Sequence, residues 1–254
     1  MKQTITISLC DRPEYTEKVL RNLLLCRDVD RYNIHMFLEP VCFDVMSLAE
    51  QFSTVHNNMA KGKGGTEVHI NKKRLGCSFN VYQCLWYAFD KLGSEYNIHI
   101  EDDIVPSKDF LQYTDWCRTK YVDDKDVFSI CGYERTEEKD LDKSSTVSKH
   151  SWFTPWGWAT WSDRWNDGYK QELWKRIQQK YLLETKVYHS WDTHTLNIRE
   201  GKLEVRPTVA RTQNIGALGG VHIDSIELHN KHYFNPNWIE STGKYTKVFK
   251  ENKE

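Results

Sequence analysis

The sequence has little of several features that define common protein classes. No apolar run approaches the roughly 18 residues of a membrane span, and residues 1–10 are too short and too polar to be the apolar region of a signal peptide. We therefore predict no membrane span and a soluble, cytoplasmic protein. The 35 basic and 36 acidic residues give a net charge of −1. Such a balance provides no overall field for nucleic acid or an anionic membrane.

The cysteine spacing indicates neither a set of disulfides nor a metal site. The seven cysteines are odd in number, no two have CxxC spacing, and most lie in apolar runs. This pattern favours reduced, buried thiols over disulfides or a cysteine zinc site.

Aromatic residues are abundant, at 13% of the chain with ten tryptophans, which excludes a disordered protein. A chain of 254 residues fits one large domain, or two lobes that share a core.

The first half alternates strands and helices, which indicates a βαβ sheet. The patterns predict strands at 4–10, 33–38, 68–70 and 96–101, and helices from Pro13, from Ser78 to Leu92 and around 110–117. We interpret the segment after Pro40, as far as Gly65, as a polar loop that contains glycines. In such a sheet, ligands bind at the carboxyl ends of the strands.

The second half has a different composition. It predicts strands at 127–131 and 203–205, a charged loop at 134–149, helices at 173–182 and from Trp191, a glycine-rich loop at 214–222 and a frayed tail after Tyr245. The glycines of the 214–222 loop permit the backbone rearrangement that a lid requires. Seven of the tryptophans lie between residues 152 and 191. We expect them to form mostly core, although Trp156, Trp158 or Trp191 could stack on a sugar.

An acidic triplet, Glu101-Asp102-Asp103, ends the strand at 96–101. Three adjacent carboxylates repel one another, and burying them unpaired is costly. A bound cation would explain them, and a solvated acidic turn is the simpler alternative. Since successive side chains on a strand point to opposite faces, Asp102 and Asp103 are expected to diverge.

The order of five short motifs resembles nucleotide-sugar glycosyltransferases of the GT-A fold. The motifs are Arg12-Pro13, the acidic triplet, Gly157-Trp158, Trp191-Asp192 and the run from Arg206-Pro207 to Arg211-Thr212. The chain is most similar to the Golgi β-1,2-N-acetylglucosaminyltransferases that act on mannose. This resemblance implies an α/β GT-A fold, with a Rossmann-like, mostly parallel sheet and an acceptor-side α+β half. It implies one domain, in which residues 1–125 bind the nucleotide sugar and residues 126–254 bind the acceptor and carry catalysis.

The resemblance also implies roles for individual residues. Asp103 would bind Mn²⁺ or Mg²⁺, Asp102 would face the ribose, and Glu101 would face the donor sugar. Asp192 would be the general base of an inverting transfer; alternatively, it stabilises a helix N-terminus. Arg12, Glu39 and His222 are further candidates for contact with a UDP-sugar donor. Arg211 is also a donor-site candidate, with a structural ion pair as the alternative.

Other functions remain open at this stage. A retaining transferase or a nucleotidyltransferase could share the sheet topology, and a carbohydrate-binding module without activity would need only the tryptophans. The acceptor could be a glycan or, as for some phage enzymes, a hydroxylated base in DNA. A basic run would suit DNA phosphates, although such runs are more often solvated. It consists of Lys61, Lys63, Lys72, Lys73 and Arg74.

Overall fold

The computed structural model describes residues 3–182, 190–219 and 225–252. Within them, one mixed sheet has the strand order β11-β7-β9-β6-β8-β4-β1-β2-β3, and a small ribbon pairs β10 with β5. Strands β3, β2, β1 and β4 are parallel, whereas β8 runs antiparallel to β4 and β6. The predicted α/β class with a mostly parallel sheet is confirmed. The separate roles of residues 1–125 and 126–254 stay a prediction.

The elements follow the chain in a regular order. The strands are β1 (Gln3–Leu9), β2 (Asn33–Leu38), β3 (Gly65–Ile70), β4 (Tyr96–Glu101), β5 (Ile104–Pro106), β6 (Val127–Cys131), β7 (Thr146–His150), β8 (Trp158–Trp161), β9 (Leu203–Pro207), β10 (Thr212–Asn214) and β11 (Lys250–Glu251). The helices are α1 (Pro13–Leu24), α2 (Phe43–Ala60), α3 (Cys77–Trp86), α4 (Phe110–Tyr121), α5 (Ser162–Arg164), α6 (Lys170–Leu182), α7 (Trp191–Ile198), α8 (Ile226–His232) and α9 (Ile239–Thr242). A π-helical turn (Tyr87–Lys91) extends α3, another (Trp165–Tyr169) leads into α6, and short 3-10 turns occur at Val29–Arg31 and Glu138–Lys143. Across the described parts of the chain, no helix is long and apolar enough to span a membrane.

The two faces of the central strands differ in chemistry. Ile5, Ile7 and Leu9 of β1 are buried in the aliphatic core. On the other face, the Thr6 hydroxyl lies 3.2 Å from Nδ1 of His99 and accepts a hydrogen bond of 2.9 Å from Asn97. Alternation along a strand places these two sets on opposite faces. On β1 and β4, one face is therefore aliphatic, and the other carries hydrogen-bonded polar side chains.

We expect the buried His99 to make stability depend on pH. Burial lowers the pKa of this imidazole to about 3, against about 6.5 in an unfolded chain. Between these values the unfolded state binds a proton that the folded state does not, so acid destabilises the protein. In His99→Gln, the fall in unfolding free energy from pH 6 to pH 4 should be shallower by about 1.4 kcal/mol per pH unit. Urea unfolding at a series of pH values measures this slope.

The matched control for that experiment is His232→Gln, which removes an exposed histidine. This variant should keep the acid dependence of the parent protein. An unchanged slope in His99→Gln would contradict the assignment of the acid sensitivity to His99.

The structure corrects three predictions of secondary structure. The segment interpreted as a polar loop after Pro40 contains the 18-residue helix α2. The buried side chains of α2 recur at helical spacing, at Val45, Ala49 and Phe52, but the polar residues between them obscure the pattern. Helix α3 begins at Cys77, one residue before the predicted start at Ser78, and has no side-chain cap. The charged loop at 134–149 ends in strand β7.

The tail after Tyr245 is also ordered, contrary to the prediction of fraying. Strand β11 pairs in parallel with β7, with Lys250 opposite Thr146. The Phe249 side chain is buried, and its ring centroid lies 5.4 Å from that of Tyr113 and 5.6 Å from that of Trp116. The end of the chain therefore completes the core around α4.

Candidate active site

The carboxyl ends of β1 and β4 bring Arg12 to the acidic triplet. The two strands are neighbours, with Ser8 opposite Glu101, so the residues that follow them meet at one edge of the sheet. Arg12 Nη1 lies 2.9 Å from Asp103 Oδ2, and Nη2 forms an ion pair with Asp102 Oδ1. One guanidinium thus bridges two carboxylates. The sequence predicted both groups for the donor site, and the structure brings them into contact.

The triplet holds more negative charge than Arg12 neutralises. Burial raises the pKa of Asp102 to about 6, although the Arg12 guanidinium opposes the shift. Burial also raises the pKa of Glu101, and the nearby charges of Asp103, Asp102 and Asp192 add to this effect. A divalent cation would relieve this repulsion, since hard cations take carboxylate oxygens as ligands.

Gly216 packs closely against the Asp103 carboxylate. A Cβ built on Gly216 would lie 2.2 Å from Asp103 Oδ2, so any larger residue would push against the carboxylate. The loop is fixed here because the Ile215 amide donates to the Asp103 carbonyl at 2.9 Å. In addition, the Leu218 amide donates to the Tyr15 hydroxyl at 3.1 Å. Carboxylate oxygens are the ligands that Mn²⁺ and Mg²⁺ prefer, so the donor chemistry of the triplet fits such an ion at Asp103.

Asp192 lies at the start of helix α7, close enough to Glu101 for its charge to raise the pKa of that carboxyl. Its Oδ1 accepts hydrogen bonds from the Ser190 hydroxyl and, at 2.8 Å, from the Thr193 amide. No hydrogen bond to its Oδ2 is found in the described part of the chain. The half-buried carboxylate is thus oriented through one oxygen beside the acidic triplet. This geometry suits a proton acceptor.

Two of the three tryptophans predicted to contact a sugar are buried, with Trp158 0% and Trp191 3% exposed. Their rings stack on each other at 5.9 Å between centroids, and both lie edge-on to His99. The prediction of sugar contact is wrong for these two residues because neither ring offers a face to solvent. Trp191 instead packs at the start of α7 against Phe153 and Trp158.

Glu39 also has a different role from the predicted donor contact. Its buried carboxylate accepts hydrogen bonds from the backbone amides of Leu75, at 2.8 Å, and Gly76, at 3.0 Å. It thereby holds the loop before α3. That loop carries Arg74, whose Nη2 lies 3.7 Å from Asp11 Oδ2. Arg74 is thus an exposed cation near the end of β1, which sequence reasoning recognised only as a member of the basic run.

Arg211 lies in the core, where its fully buried side chain pairs with the equally buried Asp109, with 3.2 Å between Nε and Oδ2. The guanidinium also donates to the carbonyls of Val209 and Ser144. Of the two roles that the sequence left open, the structure supports the ion pair. The predicted donor contact is wrong for this arrangement.

Replacement of Arg211 should therefore affect stability rather than donor affinity. We expect Arg211→Met to lower the unfolding free energy by about 3–5 kcal/mol, because Asp109 would keep a buried charge without its partner. Urea denaturation measures this loss. Arg21→Met, at an exposed position, should change stability by no more than about 0.5 kcal/mol. A fully stable Arg211→Met protein with weakened nucleotide binding would contradict the structural role.

The remaining candidates are placed as follows. His222 lies outside the described residues. In the basic run, Lys63 forms an ion pair with Asp30 at 3.3 Å, and Arg74 lies beside the candidate site. All seven cysteines are free, but only four of them are buried as predicted, since Cys10 and Cys42 are half-buried and Cys77 is exposed.

Comparison with known proteins shows similarity at the level of the fold. No protein-family model matches the sequence, and no curated protein matches it significantly. Among solved structures, the mannosyltransferase PcManGT from Pyrobaculum calidifontis, in complex with GDP-Man and Mn²⁺, aligns with a TM-score of 0.51 at 14% identity, over 83% of this chain and 56% of that one. TarS 1-349 of S. aureus aligns with a TM-score of 0.53 at 9% identity, over 84% of this chain and 59% of that one. These similarities show the GT-A fold, and this chain spans just over half of each neighbour.

Proposed function

We propose that the protein is a metal-dependent glycosyltransferase that moves a sugar from a nucleotide donor to an acceptor hydroxyl. The observation that carries the proposal is the cluster of Arg12, the acidic triplet and Asp192 at the carboxyl edge of a GT-A sheet. A glycosyltransferase with this fold binds GDP-Man and Mn²⁺, which supports a nucleotide sugar and a divalent cation here.

Each residue of the cluster has a separate task in this proposal. Asp103 would hold the cation, whose positive charge would stabilise the departing diphosphate. Arg12 orients Asp102 and Asp103, and Asp102 and Glu101 contact the ribose and the donor sugar. Asp192 accepts the proton of the acceptor hydroxyl as that oxygen attacks the anomeric carbon. The 215–219 loop, anchored at Asp103 and Tyr15, helps to exclude water from a donor that hydrolysis would waste.

The finer assignment rests on the motif order. Resemblance to the β-1,2-N-acetylglucosaminyltransferases favours a UDP-sugar donor and an inverting transfer to a glycan. In such a transfer Asp192 would lie across the anomeric carbon from the diphosphate. The DNA acceptor is the alternative, in which Arg74 and neighbouring lysines would contact phosphates. Steep salt dependence of acceptor binding would favour DNA over a neutral glycan.

The test is a nucleotide-release screen over UDP- and GDP-sugars, with Mn²⁺, with Mg²⁺ and with EDTA. We expect release of UDP from one UDP-sugar, dependent on the cation and abolished by EDTA. Release of GDP instead would keep the transferase and overturn the UDP donor. Formation of a nucleotide sugar from a sugar phosphate would show a nucleotidyltransferase. Carbohydrate binding without release from any donor would indicate a binding module and overturn the proposal.

A further inference from the structure

A second cluster of potential metal ligands lies on the sheet, away from the acidic triplet. His35 of β2 is opposite Glu67 of β3 in the parallel register, and His69 lies two residues farther along β3. The three side chains therefore share one face of the two strands. His35 Nδ1 lies 3.3 Å from His69 Nε2, and Glu67 Oε2 lies 3.7 Å from each of these nitrogens.

These three distances suit a transition-metal ion. The point equidistant from atoms separated by 3.3, 3.7 and 3.7 Å lies about 2.1 Å from each in their plane. An ion displaced from that plane, as in a tetrahedron, lies about 2.2 Å from each, close to the length of Zn²⁺ bonds to imidazole nitrogen and carboxylate oxygen. Two imidazoles and one carboxylate form a ligand set known for Zn²⁺, in which water completes the tetrahedron. Imidazole is also a ligand that Zn²⁺ prefers more than Mn²⁺ or Mg²⁺ do.

The surroundings hold the ligands in place. The His69 ring stacks on Phe37 with 4.6 Å between centroids, and Tyr87 covers both histidines at 5.1 and 4.8 Å. Tyr87 thus packs on two of the three proposed ligands, as expected of a residue that orients metal ligands. Tyr87 begins the π-helical turn after α3, and such turns often occur at functional sites.

Access to the cluster is uneven. The side chain of His35 is 5% exposed and that of His69 25%, whereas that of Glu67 is 65% exposed. An ion can therefore enter from solvent on the Glu67 side and reach a nitrogen that is buried in the protein.

The cluster is distinct from the candidate active site. His35 lies level with His99 across β1, two strand spacings or about 10 Å away. The triplet follows His99 on β4 and offers only oxygens. We propose that His35, Glu67 and His69 form a second metal site, which binds Zn²⁺ and fastens the edge strand β3 to β2.

A bound ion would stabilise the folded state, because the three ligands come together only in the folded sheet. The proposal goes beyond the transferase function and does not depend on it. The competing explanation is a metal-free network, in which one histidine donates to the other and Glu67 is solvated.

The test is titration of chelator-treated, full-length protein with Zn²⁺, followed by calorimetry and thermal unfolding. It uses Asp103→Asn as the background, because the triplet can also bind Zn²⁺. We expect one equivalent of Zn²⁺ to bind and to raise the melting temperature of the protein. Glu67→Gln should weaken Zn²⁺ binding by more than about 10-fold and reduce the increase in melting temperature. Co²⁺ in the same site should give the visible absorption of a tetrahedral complex.

The matched control is Glu50→Gln, which removes an exposed carboxylate from the neighbouring helix α2 and should leave Zn²⁺ binding unchanged. Glu67→Gln conserves size at an exposed position, so a loss of binding in this variant cannot be attributed to misfolding. His69→Gln is the second variant and should lose the Co²⁺ spectrum. Absence of Zn²⁺ binding in the Asp103→Asn background, or equal binding by Glu67→Gln and Glu50→Gln, would overturn the site in favour of the metal-free network.

Discussion

Replacement of Asp103 by asparagine should lower kcat/KM for metal-dependent sugar transfer by at least about 100-fold, the usual effect of removing one preorganised electrostatic group. Asparagine keeps the size of the side chain but removes the negative charge that a cation at this position requires. The remaining activity should need a higher Mn²⁺ concentration for half-saturation. Steady-state nucleotide release as a function of Mn²⁺ measures both effects.

Two further variants make this result specific. Asp126→Asn removes a largely exposed carboxylate just before β6, at the amino end of that strand. This variant should leave the Mn²⁺ dependence unchanged. Gly216→Ala should reproduce much of the loss, because its Cβ would lie within contact of the Asp103 carboxylate. An Asp103→Asn enzyme with normal Mn²⁺ dependence would remove Asp103 from the metal site.

Replacement of Asp192 by asparagine should reduce turnover by about 10²–10⁴-fold, the contribution of a positioned general base. Asparagine can still accept the hydrogen bonds from Ser190 and the Thr193 amide, so the start of α7 should be preserved. Donor affinity, measured by calorimetry with an unreactive donor analogue, should therefore stay within about 2-fold of the parent value. The combination of normal binding and lost transfer identifies a base.

The alternative role of Asp192 is stabilisation of the helix dipole, and Asp44→Asn provides the comparison. Asp44 is exposed in the first turn of α2, so its removal reports the dipole effect without the catalytic surroundings. The two variants should lose similar, small amounts of unfolding free energy, about 0.3–1 kcal/mol. Near-normal turnover in Asp192→Asn would exclude the base assignment.

The sequence predicts the central sheet well, because local patterns specify it. The alternation of Ile5, Ile7 and Leu9 with polar residues gives β1, and the adjacent ends of β1 and β4 follow from βαβ topology. The proximity of Arg12 to the triplet was therefore predictable. Helix α2 also has its signal in the sequence, since its buried residues recur every three or four positions. The asparagines and glycines near its end, between Asn57 and Gly65, are typical of a loop and obscure this helical signal.

The roles of Glu39, Arg211 and the tryptophans could not be predicted in the same way. Arg211 and Asp109 are 102 residues apart in sequence, and no local pattern predicts that they pair. Glu39 follows the end of a strand, as a ligand-binding residue would. Its carboxylate nevertheless accepts hydrogen bonds from backbone amides of the loop before α3. Trp158 and Trp191 contact each other only because β8 and α7 pack together on the hydrogen-bonded face. Partners distant in the chain decide these assignments.

The position of β11, which follows all the other strands of the sheet in the sequence, has a consequence for folding during synthesis. Phe249 packs on Arg211, with 5.2 Å between the guanidinium carbon and the ring centroid, and the Thr246 amide approaches Asp109 Oδ2 at 3.4 Å. These residues are synthesised after all the others of the sheet, so the core around α4 cannot be completed while they remain in the ribosome. Nascent chains would expose the aromatic surface of Tyr113 and Trp116 during that interval, when aggregation competes with folding.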